Sequence, residues 1–196
     1  LLGAGMDLRK KRQAAGVLLA DEVQARLRTL GMKEALFEIR FSEIPPAIHG
    51  IDEIAFMICA NPGLDLHSID EVASGGELSR IMLALKVTLA QKDELPTLIF
   101  DEVDAGIGGS VAVAVAHELA LLAKSHQVIV ITHIASIASK ADCHLTVSKR
   151  VEGGMSYSHI ARVEGAERQA EIARMLSGDS SSEESLNHAR SLLSER

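Results

Sequence analysis

Thr97-Leu98-Ile99-Phe100-Asp101-Glu102-Val103-Asp104-Ala105-Gly106 sets a short, mostly apolar run directly against three carboxylates within four positions. The run has the length and composition of a strand buried on both faces of a parallel sheet. The acidic residues then fall at its C-terminal end, where open α/β sheets place their ligands. A second segment has the same design: Val128-Ile129-Val130-Ile131 is wholly apolar and leads into Thr132-His133. Between the two, Gly108 to Lys124 carries helical spacing. Ahead of them, Ser74 to Gln91 reads as a long helix with Leu78, Ile81, Met82, Leu85 and Leu89 on one face. Helix–strand–helix–strand alternation predicts an α/β fold, a mostly parallel sheet covered by helices.

Outward from this centre the pattern changes. Leu1 to about Leu30 mixes apolar and charged residues, and Val23-Leu27-Leu30 has the spacing of an amphipathic helix. It fits either a packed surface helix or the end of a coiled-coil arm. Gly31 is placed to stop it. Two strands are expected at Ala35–Phe41 and Glu53–Cys59, with a Pro45-Pro46 and Gly50 loop between them and a turn at Asn61-Pro62-Gly63. Beyond the centre come a short helix near Ile134–Lys140 and strands around His144–Lys149 and Met155–Val163, joined at Gly153-Gly154. Helices at Arg168–Leu176 and Glu183–Leu193 flank a serine-rich linker. The expected organisation is an arm stub over 1–30 and one α/β lobe over 31–196.

Composition narrows the class. A chain of 196 residues is one compact domain with an appendage at roughly 150 residues per domain. Twenty Lys and Arg against 27 Asp and Glu give a net charge of −7, which argues against binding nucleic acid or anionic lipid through overall charge. With 3% aromatic residues and no Trp, the core must be aliphatic. No uninterrupted apolar stretch reaches the roughly 18 residues of a membrane span, so no membrane association is expected. Cys59 and Cys143 lack a C-x-x-C partner and read as free thiols of a reducing compartment. The chain opens on Leu1-Leu2-Gly3, not Met, and is expected to be a piece of a longer polypeptide.

Three segments carry the chemistry. Ser74 followed three residues later by Glu77 forms a capping box, which explains those two residues but not Gly75-Gly76. Two glycines in a first helical turn cost about 1 kcal/mol each in propensity. They leave backbone N–H groups bare at the positive end of the helix dipole, which suits a phosphate or another anion. Asp101 and Glu102, crowded at a strand end, need a partner such as Mg²⁺. An Asp there can hold the water shell of Mg²⁺, and a neighbouring Glu can deprotonate a water for in-line attack on a γ-phosphate. Among eight histidines only His133 ends a buried strand. If the two apolar strands are neighbours, it lies beside Glu102. His49, His67, His117, His126, His144, His159 and His188 read as structural or surface residues. Arg9-Lys10-Lys11-Arg12 is a basic run on a solvated helix face.

In this order the segments resemble the motifs of ABC-type ATPase heads. Ser74-Gly75-Gly76-Glu77 resembles the signature motif, Leu98–Glu102 the Walker B strand with its catalytic Glu, Asp104-Ala105-Gly106 the D-loop, and Thr132-His133 the switch histidine. Val103 stands where transporter ATPases usually carry Pro, which points to the chromosome-maintenance and repair branch. More narrowly, Asn61-Pro62-Gly63, ASGGELSRIMLALK from Ala73, FDEVDAGIGG from Phe100, ITHIASIASKADCH from Ile131 and EIARMLSG from Glu171 resemble the RecN family of bacterial DNA repair proteins. Ile134-Ala135-Ser136 departs from the Leu-Pro-Gln expected there. The resemblance implies the C-terminal lobe of a split head, with a coiled-coil stub at its start. The N-terminal lobe of the same polypeptide would carry Walker A, since no G-x-x-x-x-G-K-[ST] occurs here. It further implies ATP and Mg²⁺ as cofactors and a homodimer of heads sandwiching two ATP molecules. Asp101 would hold Mg²⁺, Glu102 would activate water and His133 would contact the γ-phosphate. Ser74, Gly75, Gly76 and Glu77 would close on the opposite head's ATP, with Asp104 linking the sites. A cytoplasmic, nucleoid-associated role in DNA double-strand break repair and recombination rests on the resemblance alone. This chain without Walker A is expected to turn over little or no ATP. A transporter ATPase subunit and a non-hydrolysing clamp are the competing classes.

Overall fold

The computed structural model describes residues 2–60, 65–90, 92, 94–152 and 154–194. The expected Asn61-Pro62-Gly63 turn, Gly153 of the expected Gly153-Gly154 connection and Gln91 at the expected helix end lie outside them. A 28-residue helix, α1 (Leu2–Thr29), opens the chain. It is followed by strands β1 (Leu36–Ala47), β2 (Gly50–Cys59) and β3 (His67–Ser68). Then come α2 (Gly75–Leu89), β4 (Thr97–Phe100), α3 (Gly109–Leu122), β5 (Gln127–Val130) and α4 (Ala135–Ala138). Strands β6 (His144–Glu152) and β7 (Met155–Val163) and helices α5 (Gly165–Ser177) and α6 (Glu183–Ser194) complete the chain.

The α/β class is the one expected, and the parallel sheet lies at its centre. Strands β4 and β5 pair in parallel from Thr97↔Gln127 to Phe100↔Val130, with α3 as the crossover. The other ladders are antiparallel: β1 with β2 and β6 with β7, both longer, and a two-residue pairing of β2 with β3. Pro45 and Pro46, expected in a loop, fall inside β1. That strand is the edge of its sheet, and its register breaks between Glu43 and Ala47, so the missing N–H groups cost no ladder bond.

Helix α1 ends in a reciprocal turn in which the Met32 N–H donates to Leu27 O at 2.9 Å and Gly31 adopts φ +85°. Only glycine takes that conformation without strain, so Gly31 stops the helix as expected. The last turns of α1 enter the main core. Val23, Leu27 and Leu30 are fully buried against Ile81, Leu83 and Ala84 of α2 and Val115 and Leu122 of α3. Residues on both sides of position 30 therefore share one core. The Arg26 guanidinium adds an ion pair to Glu118 on α3. On α2 the buried stripe runs through Arg80, Ile81, Leu83, Ala84, Leu85 and Val87, while Met82 and Leu89, expected on the apolar face, are partly exposed. A helix covered on two sides buries a wider arc than one amphipathic stripe. A second, smaller cluster joins Ala135 and Ala138 of α4 to Ile172, Ala173 and Ala189 of the C-terminal helices.

One expectation is corrected. β4 is not buried on both faces: Leu98 and Phe100 face the core, but Ile99 is 68% exposed, and Ile129 on the neighbouring strand and Ile131 just after it are also exposed. Helices α2 and α3 cover one face of this sheet, and no described element covers the other. Among the described residues no helix is long and apolar enough to cross a membrane.

Removing the side chain at the root of α1 should be felt throughout. Leu27→Ala should lower unfolding free energy by about 2–5 kcal/mol, read as a drop in the urea midpoint. Val17→Ala on the exposed part of the same helix should change it by less than about 0.5 kcal/mol.

Candidate nucleotide site

Three structural ends meet at one edge of the central sheet: the N-terminus of α2 and the C-termini of β4 and β5. Ser74 is the N-cap of α2 in an extended conformation, and its Oγ accepts from the Glu77 N–H at 3.4 Å. That is the Ser half of the expected capping box. Two side chains of the same helix hold the loop that follows β4. The Ser79 hydroxyl donates to Asp101 O at 2.6 Å, and Arg80 Nη1 donates to Ala105 O at 3.0 Å. Val103, fully buried, pins the loop from below.

This junction gives Gly75-Gly76 a packing role that the sequence does not reveal. A Cβ at Gly76 would lie 2.8 Å from Ala105 Cβ and 3.2 Å from the Glu102 carbonyl oxygen, so α2 reaches the loop only through a residue without a side chain. A Cβ at Gly75 would meet the Glu102 carboxylate. The catalytic candidate therefore rests against the glycine turn of its own chain. Glu102 adopts φ +56°, the left-handed region unusual for a residue with a side chain.

Each expected residue can now be placed. Asp101 is exposed, and its Oδ1 accepts the Glu102 N–H at 2.9 Å. Among the described residues no cluster of three or more His, Cys, Asp or Glu could hold a metal. Mg²⁺ needs no such cluster, because it keeps several waters and takes one or two carboxylates plus phosphate oxygens. Asp101 fits as one such ligand. The Asp104 carboxylate is buried, accepting from Thr132 Oγ1 at 2.6 Å and from the His133 N–H at 3.0 Å. His133 keeps an exposed ring whose Nδ1 lies 3.1 Å from Asp104 Oδ2. β4 and β5 are neighbours as expected, yet His133 is coupled to Asp104, not Glu102.

Sequence reading placed Ser79, Arg80 and Thr132 inside motifs but gave none of them a contact of its own. Arg80 had a legible signal, because positions 80, 83, 84 and 87 share a helix face and the other three are apolar. Burial lowers its pKa against the opposing charge of Glu77, and its Nε has no hydrogen-bond partner. A cavity of about 370 Å³ lies elsewhere, between α1 and the β1–β2 hairpin, lined by Arg12, His49 and Asp52. With Asp101 and Glu102 exposed beside Glu77, a triphosphate would meet carboxylates here and requires positive charge from another source.

Comparison with known structures gives the class. The chain matches the Smc head domain with coiled coil and joint from Pyrococcus yayanosii at a TM-score of 0.55, with 20% identity over 94% of this chain and 30% of that one. The Smc head domain of Pyrococcus furiosus, solved with the C-terminal domain of ScpA, matches at 0.50, with 22% identity over 74% of this chain and 34% of that one. The fold is therefore that of part of an Smc head domain. The sequence is 46% identical over 193 residues to the DNA repair protein RecN of Deinococcus radiodurans, covering 98% of this chain and 33% of that protein. It is 42% identical over 200 residues to RecN of Treponema pallidum, covering 98% and 35%. Over nearly its whole length the chain matches the C-terminal part of RecN proteins, and it spans about a third of the length of the curated relatives it matches. No protein-family model matches it.

The two glycines should respond differently to substitution. Gly76→Ala must push backbone and should cost about 1–3 kcal/mol. Gly75→Ala displaces only the flexible end of Glu102 and should be neutral within about 1 kcal/mol. Denaturant titration of both variants reads the difference, and equal losses would contradict this packing.

Proposed function

We propose that this chain supplies the C-terminal half of a composite ATP site in a RecN-type head that dimerises on ATP and acts in DNA double-strand break repair and recombination. The convergence of the Ser74–Glu77 helix start, the Asp101-Glu102 loop and His133 on one open sheet edge carries this reading.

In it, Asp101 is the chain's ligand to Mg²⁺, an ion that offsets phosphate charge and orients the phosphates. Glu102 takes the proton of the attacking water. His133 contacts the γ-phosphate through its exposed ring. The N–H groups of Gly75 and Gly76, with Ser74 and Glu77 at the same helix start, engage the ATP held by the opposite head. The lysine and amide cradle that these carboxylates require comes from the N-terminal lobe of the same polypeptide. The exposed Ile99, Ile129 and Ile131 support such a lobe, since an apolar sheet face of this kind is stable only when covered. Residues 1–30 are the end of the coiled-coil arm, rooted in the lobe over 31–196. DNA is the partner, the setting is the cytoplasm and nucleoid, and the chain by itself is inactive.

Two variants test the assignment in the full-length protein. Glu102→Gln should lower turnover by at least about 100-fold while ATP-bound dimers accumulate in size-exclusion runs. Turnover near the wild-type rate would remove Glu102 as the base. Ser74→Arg should prevent head dimerisation yet leave equilibrium ATP binding unchanged, whereas lost ATP binding would contradict engagement from the opposite head.

A further inference from the structure

Arg80 is a buried cation that the proposed chemistry does not use. The residue is 8% exposed, and a guanidinium so enclosed is ordinarily paired with a carboxylate. Among the described residues Arg80 forms no ion pair. Burial lowers its pKa, opposed only by the charge of Glu77, and Nε has no hydrogen-bond partner. Its hydrogen bond runs from Nη1 to Ala105 O at 3.0 Å and lands on a tight turn. The Ala105 N–H donates to Glu102 O at 3.0 Å, so the residue that Arg80 holds also closes back on Glu102. Glu102 has φ +56°, a region that a residue with a side chain keeps only where its surroundings over-determine it. On the other side, the Glu102 N–H donates to Asp101 Oδ1 at 2.9 Å, and Asp101 O accepts the Ser79 hydroxyl at 2.6 Å. Two consecutive residues of α2 therefore anchor the chain just before and just after Glu102.

We propose that Arg80 is a positioning residue: through the Ala105 carbonyl it holds the turn over 102–105 and keeps Glu102 in the left-handed backbone that aims its carboxylate. The inference rests on the reading of Glu102 as the base and adds the residue that places it. Gly76 and Arg80 lie one turn apart on the same face of α2, and both meet Ala105. A Cβ at Gly76 would stand 3.4 Å from the same carbonyl oxygen. The helix start that engages nucleotide and the loop that carries the base are thus joined at one peptide. A neutral side chain of similar volume would fill this part of the core without the desolvation cost of a charge. The guanidinium instead brings the loop a donor that an apolar residue lacks. Its unpartnered Nε means that the loop receives one bond, not a bidentate fork.

The test uses the full-length protein carrying Arg80→Met, which keeps the buried volume, alone and combined with Glu102→Gln. Arg80→Met should lower kcat by about 10- to 100-fold and leave KM for ATP within about two-fold of the wild type. Arg80→Lys, which keeps a cation and a donor, should retain more of the rate. Added to Glu102→Gln, Arg80→Met should lower the residual rate by less than about two-fold, because a residue that acts through Glu102 then has no base to place. Crystals of the full-length Arg80→Met protein should show Glu102 outside the left-handed region that it occupies in the wild type. Should Arg80→Met not fold, Arg80→Gln, neutral and shorter, takes its place in each measurement. Wild-type kcat in the folded variant, a fully additive loss on top of Glu102→Gln, or a left-handed Glu102 in the variant crystal would overturn the proposal. Wild-type turnover by Glu102→Gln would instead remove Glu102 as the base, and the Glu102 backbone in the variant crystal would still decide the positioning.

Discussion

The contact between the start of α2 and the loop after β4 is the constraint on which the rest of the site depends. Two hydrogen bonds from the helix, Ser79 to Asp101 O and Arg80 to Ala105 O, grip the loop at both ends. Gly76 lets the two backbones approach to a distance that any side chain would forbid. Buried Val103 fixes the loop's height above the core, and Asp104 extends the grip to Thr132 and His133. The helix start, the acidic loop and the histidine thus form one mechanical unit. A ligand that moves one of them acts on the other two.

Charge and apolar exposure point the same way. Among the described residues the candidate site gathers carboxylates but no lysine, and the sheet behind it leaves Ile99, Ile129 and Ile131 uncovered. An uncovered apolar sheet face is unusual in a finished surface and ordinary in half of one. A cationic, apolar-faced lobe set against this edge would relieve both at once. That is a physical reason, independent of any family likeness, to regard the site as composite. The root of α1, with Val23, Leu27 and Leu30 in the same core as α2, couples motions of the helix to this unit through packing that tolerates little adjustment.

Much of this was legible in the sequence, for local reasons. Thr97–Phe100 is observed as a strand with the bounds that its composition predicts, and Ser74 and Gly31 mark the helix ends where capping chemistry puts them. What could not be read depends on distant partners. Ile99 sits in an apolar run that looks the same whether its own chain or another covers it. Gly75-Gly76 advertises bare amides, and only the fold reveals that Ala105 and Glu102 occupy the space a side chain would take. The hydrogen-bond partners of Asp104 lie 28 and 29 residues away, across a parallel strand pair. Pro45 and Pro46 look like a loop until the strand that holds them proves to be an edge.

The central claim is that these residues are half of an ATP site. The most direct measurement is ATP binding and hydrolysis by residues 1–196 alone, and again after a lobe carrying G-x-x-x-x-G-K-[ST] is supplied. The account predicts negligible binding and turnover by the chain alone, with both appearing when the P-loop lobe is joined to it. Hydrolysis by the isolated chain at the rate of the joined protein would contradict it.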